Sequence, residues 1–175
     1  GTPDARHPLR IWHPDGRLAQ LGEAGEIQVK GDFTLAGYWQ LPDATTAAFT
    51  EDGWFHTGDL AVERPDGNLQ IVGRMSEMFK SGGYNVYPRE VELALEEHPG
   101  VAIVAVISVP DPRFQEVGVA YVVGAETDAP SAEELRAFAA QHLANYKVPK
   151  QILFLDELPL LAVGKVDKKA LRSNH

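Results

Sequence analysis

The chain contains no cysteine. Disulfide scaffolds, cysteine nucleophiles and zinc–thiolate sites are thereby excluded. Its six histidines stand apart, at positions 7, 13, 56, 98, 142 and 175, and none forms a His-x-x-x-His pair, so no metal site is expected. No apolar run approaches the roughly 18 residues of a spanning helix, and no membrane span is expected. Positive charge is scarce: 16 Lys and Arg against 25 Asp and Glu leave a formal charge of −9. An acidic field of that size argues against nucleic acid as a partner. No signal-peptide pattern opens the chain, and a cytoplasmic location is expected. The start, Gly1-Thr2-Pro3, has no Met and reads as interior sequence, which suggests a piece of a longer protein.

What is present is 175 residues with an ordinary 44% hydrophobic share. That is enough for one domain or two small ones. The first 73 residues read as hairpins and loops. Strands are expected at Leu9–His13, at Glu26–Lys30, where alternation suggests a half-buried strand, and at Asn68–Val72. Pro14-Asp15-Gly16 and Pro65-Asp66-Gly67 are turn signals, and Asp43–Phe49 can form one short helix. From Arg74 the pattern changes. Short extended pieces, Glu77–Lys80 and Asn85–Tyr87, flank Ser81-Gly82-Gly83. Pro88 suits a first helical position, opening Arg89–His98, and Pro99-Gly100 ends it. Val101–Val109 is nearly all apolar and reads as a buried central strand. Strands at Val117–Val123 and Gln151–Leu155 and helices at Ala132–Ala144 and Asp167–Arg172 follow, with Ser131 and Glu134 as a capping box. The fold class expected is α+β: a β-rich segment over 1–75, then a small mixed α+β domain over 76–175.

A basic cluster, Lys165, Lys168, Lys169 and Arg172, closes the chain, and a few such cations suffice for a phosphate site. Gly164-Lys165 is not a P-loop. Position 159 is Pro where that motif needs glycine, and position 166 is Val where it needs Ser or Thr.

Four segments stand in order: Gly31–Trp39, Trp54–Leu60 with Thr57-Gly58-Asp59, Gly73–Glu92 with Lys80-Ser81-Gly82-Gly83-Tyr84, and Gly164–Lys168. Together they resemble the later core motifs of the adenylate-forming superfamily: acyl-CoA synthetases, peptide-synthetase adenylation domains and beetle luciferases. The resemblance covers essentially the whole chain and is nearest to acyl-CoA synthetases, because of the Ser81–Pro88 stretch. It implies that residues 1–75 end the large AMP-binding domain and that 76–175 are the mobile C-terminal domain.

Each motif residue also has a plain structural role open to it: a turn aspartate, a strand-end arginine, a Gly-Gly turn, a surface lysine. The resemblance implies more. Asp59 would bind the ribose hydroxyls of ATP, since one carboxylate can accept two hydrogen bonds from a vicinal diol. Arg74 would contact the same nucleotide. Ser76 takes the hinge position, where the family usually has Asp or Lys. Lys80, Gly82, Gly83 and Tyr84 would line the path of coenzyme A in the thioester step. Lys165 would be the catalytic lysine, bridging the attacking carboxylate and the α-phosphate.

The implied partners are a small-molecule carboxylic acid, ATP and coenzyme A, with Mg²⁺ bound mainly by an upstream portion, and the implied setting is fatty acid metabolism. An enzyme that loads a carrier-protein phosphopantetheine, or a non-catalytic interaction module of the same fold, are the alternatives. The chain has no Ser/Thr/Gly-rich phosphate loop, adenine-pocket motif or Mg²⁺-binding glutamate motif of the family. The purified 175-residue chain is therefore expected to give no ATP–pyrophosphate exchange, which a radiolabelled pyrophosphate assay checks.

Overall fold

Pro14-Asp15-Gly16 and Pro65-Asp66-Gly67 both fold the chain back on itself. The Gly16 amide bonds His13 O at 3.0 Å and the Gly67 amide bonds Arg64 O at 2.9 Å. In this computed structural model, which describes residues 7–125 and 130–175, the two turns sit in one antiparallel sheet. Its strands are β1 (Leu9–His13), β2 (Arg17–Leu18), β3 (Ala24–Val29), β4 (Phe55–Glu63) and β5 (Leu69–Arg74), in the order β2-β1-β3-β4-β5. A short helix, α1 (Pro42–Ala47), lies between β3 and β4 in sequence. Ile11, Ile27 and Ala61 form the small core, with Leu9, Ala19, Val29 and Leu69 packed on it.

Two features of this sheet depart from the sequence expectation. The nine-residue β4 was not among the expected strands, because Gly58 and Asp59 interrupt any apolar alternation. The polar residues of β3 are also not its wet face. Glu26 is 7% exposed and Gln28 fully buried. They stay buried because they bond one another and His56, so alternation of polarity did not report alternation of exposure.

The chain divides into two units, Gly1–Ser76 and Glu77–His175. A 3-10 turn, Met75–Glu77, spans that boundary where extended backbone was expected to start at Glu77. The second unit contains β6 (Phe79–Ser81), β7 (Tyr84–Val86), α2 (Pro88–Glu96), β8 (Val101–Asp111), β9 (Gln115–Gly124), α3 (Ala132–His142), β10 (Gln151–Phe154) and α4 (Lys168–Ser173). Pro88 occupies the first turn of α2, and the Ser131–Glu134 capping box opens α3. The α+β class holds.

The apolar run 101–109 has a different cause from the one expected. Among the described residues β8 pairs only with β9, which makes it an edge strand. β9 is the central strand, paired on its other side with β10 in parallel and touching β6 at Gln115. The run is apolar because both faces of β8 are covered. Val104 and Val106 join Val91 and Leu95 of α2, Leu135 and Ala139 of α3, and Ala120 and Val122 of β9 in one core. Ala105 and Ile107 face the other way, into a second core with Val119, Tyr121, Leu158 and Leu171. Among the described residues no helix is long and apolar enough to cross a membrane.

Leu95 is fully buried in the first of these cores. Leu95→Ala is expected to destabilise the second unit by about 2–5 kcal/mol, read as a lower urea midpoint in circular dichroism.

Candidate functional site

Asp59 is presented by a distortion on both sides of its strand. Glu26 pairs with Leu60 and Gln28 with His56, so Thr57, Gly58 and Asp59 stand opposite the single residue Ile27. Across β5, Leu60 pairs with Gly73 but Ala61 with Ile71, which leaves Val72 as an extra residue. Bulges of this kind bend a strand and re-aim side chains. Gly58 makes the first one possible, with φ at +71°, where a side chain would be strained.

The result is a half-buried Asp59 whose Oδ1 lies 2.9 Å from Arg74 Nε, the two residues being direct cross-strand partners. Sequence reasoning placed both at one nucleotide site, and the structure brings them together. The Asp59 side chain is about one-third exposed and the Arg74 side chain more than half exposed.

Beneath this pair lies a polar network that motif spacing did not single out. Glu26 Oε2 sits 2.7 Å from His56 Nδ1 and accepts from Gln28 Nε2 at 3.1 Å. Glu26 Oε1 accepts the Gly58 amide at 3.1 Å, inside the bulge itself. Gln28 Oε1 accepts Arg10 Nε at 2.7 Å, and the Arg10 guanidinium stands 4.1 Å from the Trp12 ring and 4.5 Å from the Trp54 ring. Thr57 Oγ1 donates to Ile27 O at 2.7 Å and accepts the Asp59 amide at 3.1 Å. The only trace in sequence is Glu-x-Gln on a strand that alternates.

In the second unit, Gly82 and Gly83 join β6 to β7 as a two-residue turn, with Ser81 paired to Tyr84. Both glycines have positive φ, +58° and +87°, as a type I′ turn requires. A Cβ on Gly82 would also come within 3.3 Å of the Phe114 ring. Tyr84 is 60% exposed yet stacked on Tyr146, with ring centroids 4.5 Å apart. Beside the turn is a cavity of about 280 Å³ lined by Ser81, Gly82, Tyr84, Phe114, Tyr146 and Lys150, among others. Its chemistry is aromatic walls with one cation, which suits a planar ring or an anion. Lys80 is exposed on β6, and its ammonium has no partner among the described residues. Burial pushes the Tyr87 phenol above its ordinary pKa.

Lys165 lies elsewhere in the same unit, on a tight loop. The Leu161 amide bonds Lys165 O at 2.8 Å, the Gly164 amide bonds Leu161 O at 2.8 Å, and Leu160 bridges Val166. The loop projects Leu161, 46% exposed, and Val163, 75% exposed, beside the exposed lysine. No hydrogen bond or ion pair among the described residues links Lys165 to Lys80–Tyr84. Ser76 is exposed within the 3-10 turn. No group of three His, Asp or Glu among the described residues could hold a metal ion.

Residues 90–165 match the AMP-binding enzyme C-terminal domain, and over nearly all its length the chain is similar to enzymes named as CoA ligases. It is 45% identical over 172 residues to a feruloyl-CoA synthase of an Amycolatopsis species, covering 98% of this chain and 35% of that protein. It is 45% identical over 180 residues to a medium/long-chain-fatty-acid–CoA ligase of Mycobacterium tuberculosis, covering 99% of this chain and 31% of that one. The fold superposes on the amide bond synthetase McbA from Marinactinospora thermotolerans with TM-score 0.90 and 36% identity, over 99% of this chain and 35% of that one. The chain thus spans about a third of the length of the relatives it matches.

Glu26→Ala removes the common acceptor of Gln28, His56 and the Gly58 amide. Leaving such buried donors unpaired costs about 1–3 kcal/mol. A urea titration is expected to show a loss of that size for the first unit, and the Gly58 and Asp59 amide resonances to shift.

Proposed function

We propose that this chain is the C-terminal part of an ATP-dependent carboxylic acid–CoA ligase, an acyl-CoA synthetase that makes an acyl-adenylate and then a thioester. The observation that carries the proposal is the mounting of Lys165. Its ammonium has no partner among the described residues and stands on a short hydrogen-bonded loop with exposed apolar residues around it, as a cation delivered into another surface would be. In the first half-reaction a carboxylate oxygen attacks the α-phosphorus of ATP and pyrophosphate leaves. Lys165 spans carboxylate and phosphate as negative charge gathers between them. A positioned donor at such a point is worth about 3–4 kcal/mol. Asp59 takes the ribose hydroxyls, and Arg74 holds that carboxylate and faces the nucleotide.

In the second half-reaction the thiol of coenzyme A attacks the acyl carbonyl and AMP leaves. Lys80, Gly82, Gly83 and Tyr84 line its approach, and the adjacent aromatic cavity supports that assignment. Residues 1–75 belong to the large AMP-binding domain in this scheme. Residues 76–175 form the mobile domain, which turns about Ser76 between the two steps. Mg²⁺ would be held by upstream residues, since the described residues offer no cation cluster. The acid is an organic carboxylic acid of the kind met in fatty acid and aromatic acid metabolism, and the setting is cytoplasmic.

A second reading differs only in the acceptor. The likeness to an amide bond synthetase favours an amine in place of the thiol. The identity to CoA ligases is higher, 45% against 36%, and favours coenzyme A.

In the enzyme that carries this chain, Lys165→Ala is expected to lower ATP–pyrophosphate exchange by about 10²–10³-fold, the usual loss for one transition-state donor. Thioester formation from supplied acyl-adenylate should persist. Unchanged exchange removes Lys165 from the chemistry, and amide in place of thioester among the products moves the acceptor to an amine.

A further inference from the structure

Lys165 and Lys168 are indistinguishable as members of one basic cluster, but the structure separates them. The Lys165 side chain is exposed and unpaired among the described residues. The Lys168 side chain is 18% exposed, and its ammonium lies 2.8 Å from Glu77 Oε2 and 2.8 Å from Glu92 Oε1. Glu92 is one of the few buried charges in the chain, and its side chain is 6% exposed. Its Oε1 also accepts the Val106 amide at 2.9 Å, which ties α2 to β8. Arg89 reaches its other oxygen only at 3.5 Å, because that guanidinium is committed to Glu96 at 2.7 and 3.0 Å. Lys168 is therefore the close counter-charge of a buried carboxylate, and an unpaired charge there would be strongly disfavoured. Its position is fixed by the core.

The second arm adds what the core does not require. Glu77 is the first residue of the second unit and directly follows Ser76. On the other side, Lys168 is the first residue of α4. Asp167 caps that helix through bonds of 3.0 Å to the Lys169 and Ala170 amides, and its own amide bonds Pro159 O at 2.7 Å. That bond closes the base of the loop bearing Lys165, and Leu171 anchors α4 in the second core.

We propose that Lys168 is a positioning residue for Lys165. By bridging Glu77 and Glu92 it locks the residue after the Ser76 pivot and the base of the Lys165 loop onto one buried carboxylate, so that pivot and lysine turn as one body. The proposal rests on the role given to Lys165 above. Its value is geometric: a reacting group displaced by about 1 Å can lose roughly 10²-fold in rate. A slack joint at Glu77 would pass its error to the lysine at every turn of the domain.

Two measurements test it. In the 175-residue chain, Lys168→Met is expected to speed hydrogen exchange at the Leu161, Gly164 and Asp167 amides by about tenfold or more, while Ala120 and Val122 of β9 hold. In the enzyme that carries the chain, Lys168→Met is expected to lower the adenylation kcat by about tenfold or more, with KM for ATP within about twofold. Lys168→Arg should restore most of it, and Lys168→Met should add nothing on a Lys165→Ala background. Glu77→Gln removes the more exposed arm and leaves Glu92 in place. It should lower kcat several-fold, and it decides the matter if Lys168→Met fails to fold. An equal loss on both backgrounds, no rescue by arginine, or an unchanged Glu77→Gln overturns the proposal. If Lys165→Ala itself leaves adenylation intact, the role given to Lys165 above falls. Exchange at the three loop amides then decides alone whether Lys168 orders that loop: faster exchange supports it, and unchanged exchange overturns it.

Discussion

The second unit depends on the pairing of β8 with β9. Their ladder runs from Val101–Gly124 to Asp111–Gln115, and alternate residues of both strands serve different cores. One face gathers α2 and α3, and the other takes Leu158 and α4. A sheet of two long strands is marginal unless both faces are covered. Here the helices cover them. The candidate residues of this unit are attached to that spine: β6 and the glycine turn through Gln115, and the Lys165 loop through α4.

The first unit is organised differently. Its apolar core is small, and its definition comes from a buried polar network instead. Every buried side-chain nitrogen and oxygen among the described residues has a partner. A satisfied network of this kind holds one geometry where a few aliphatic contacts would allow several. That geometry is what a double-bulged strand needs if Asp59 is to face outward beside Arg74.

Much of the second unit was legible in sequence. Pro88, the Ser131–Glu134 box and Pro99-Gly100 are local signals, and the local structure obeys them. Asp59 with Arg74, and the turn at Gly82-Gly83, were found by motif order. Four things were not legible. β4 was hidden because a bulged strand breaks the alternation that reveals strands. β8 was given a central place, although an apolar run reports covered faces and not the number of neighbouring strands. Glu26 and Gln28 passed as a wet face, because a buried polar pair leaves the same pattern in sequence as an exposed one. The pairing of Lys168 with Glu77 and Glu92 joins residues 91 and 76 positions apart, a distance over which no local pattern speaks.

The unmatched Val72 has a consequence for how this region can change over generations. A bulge absorbs one extra residue in a ladder and bends the strand at that point. β5 carries its extra residue two positions before Arg74. Loss of one residue there would restore an even ladder and make a more regular sheet. It would leave Arg74 paired with Asp59, since direct cross-strand partners share a face, but it would take away the bend that aims the pair. Substitutions along β5 are open to drift, but its length is not. An alignment of relatives would be expected to show gaps in the Pro65-Asp66-Gly67 turn and none between Leu69 and Arg74.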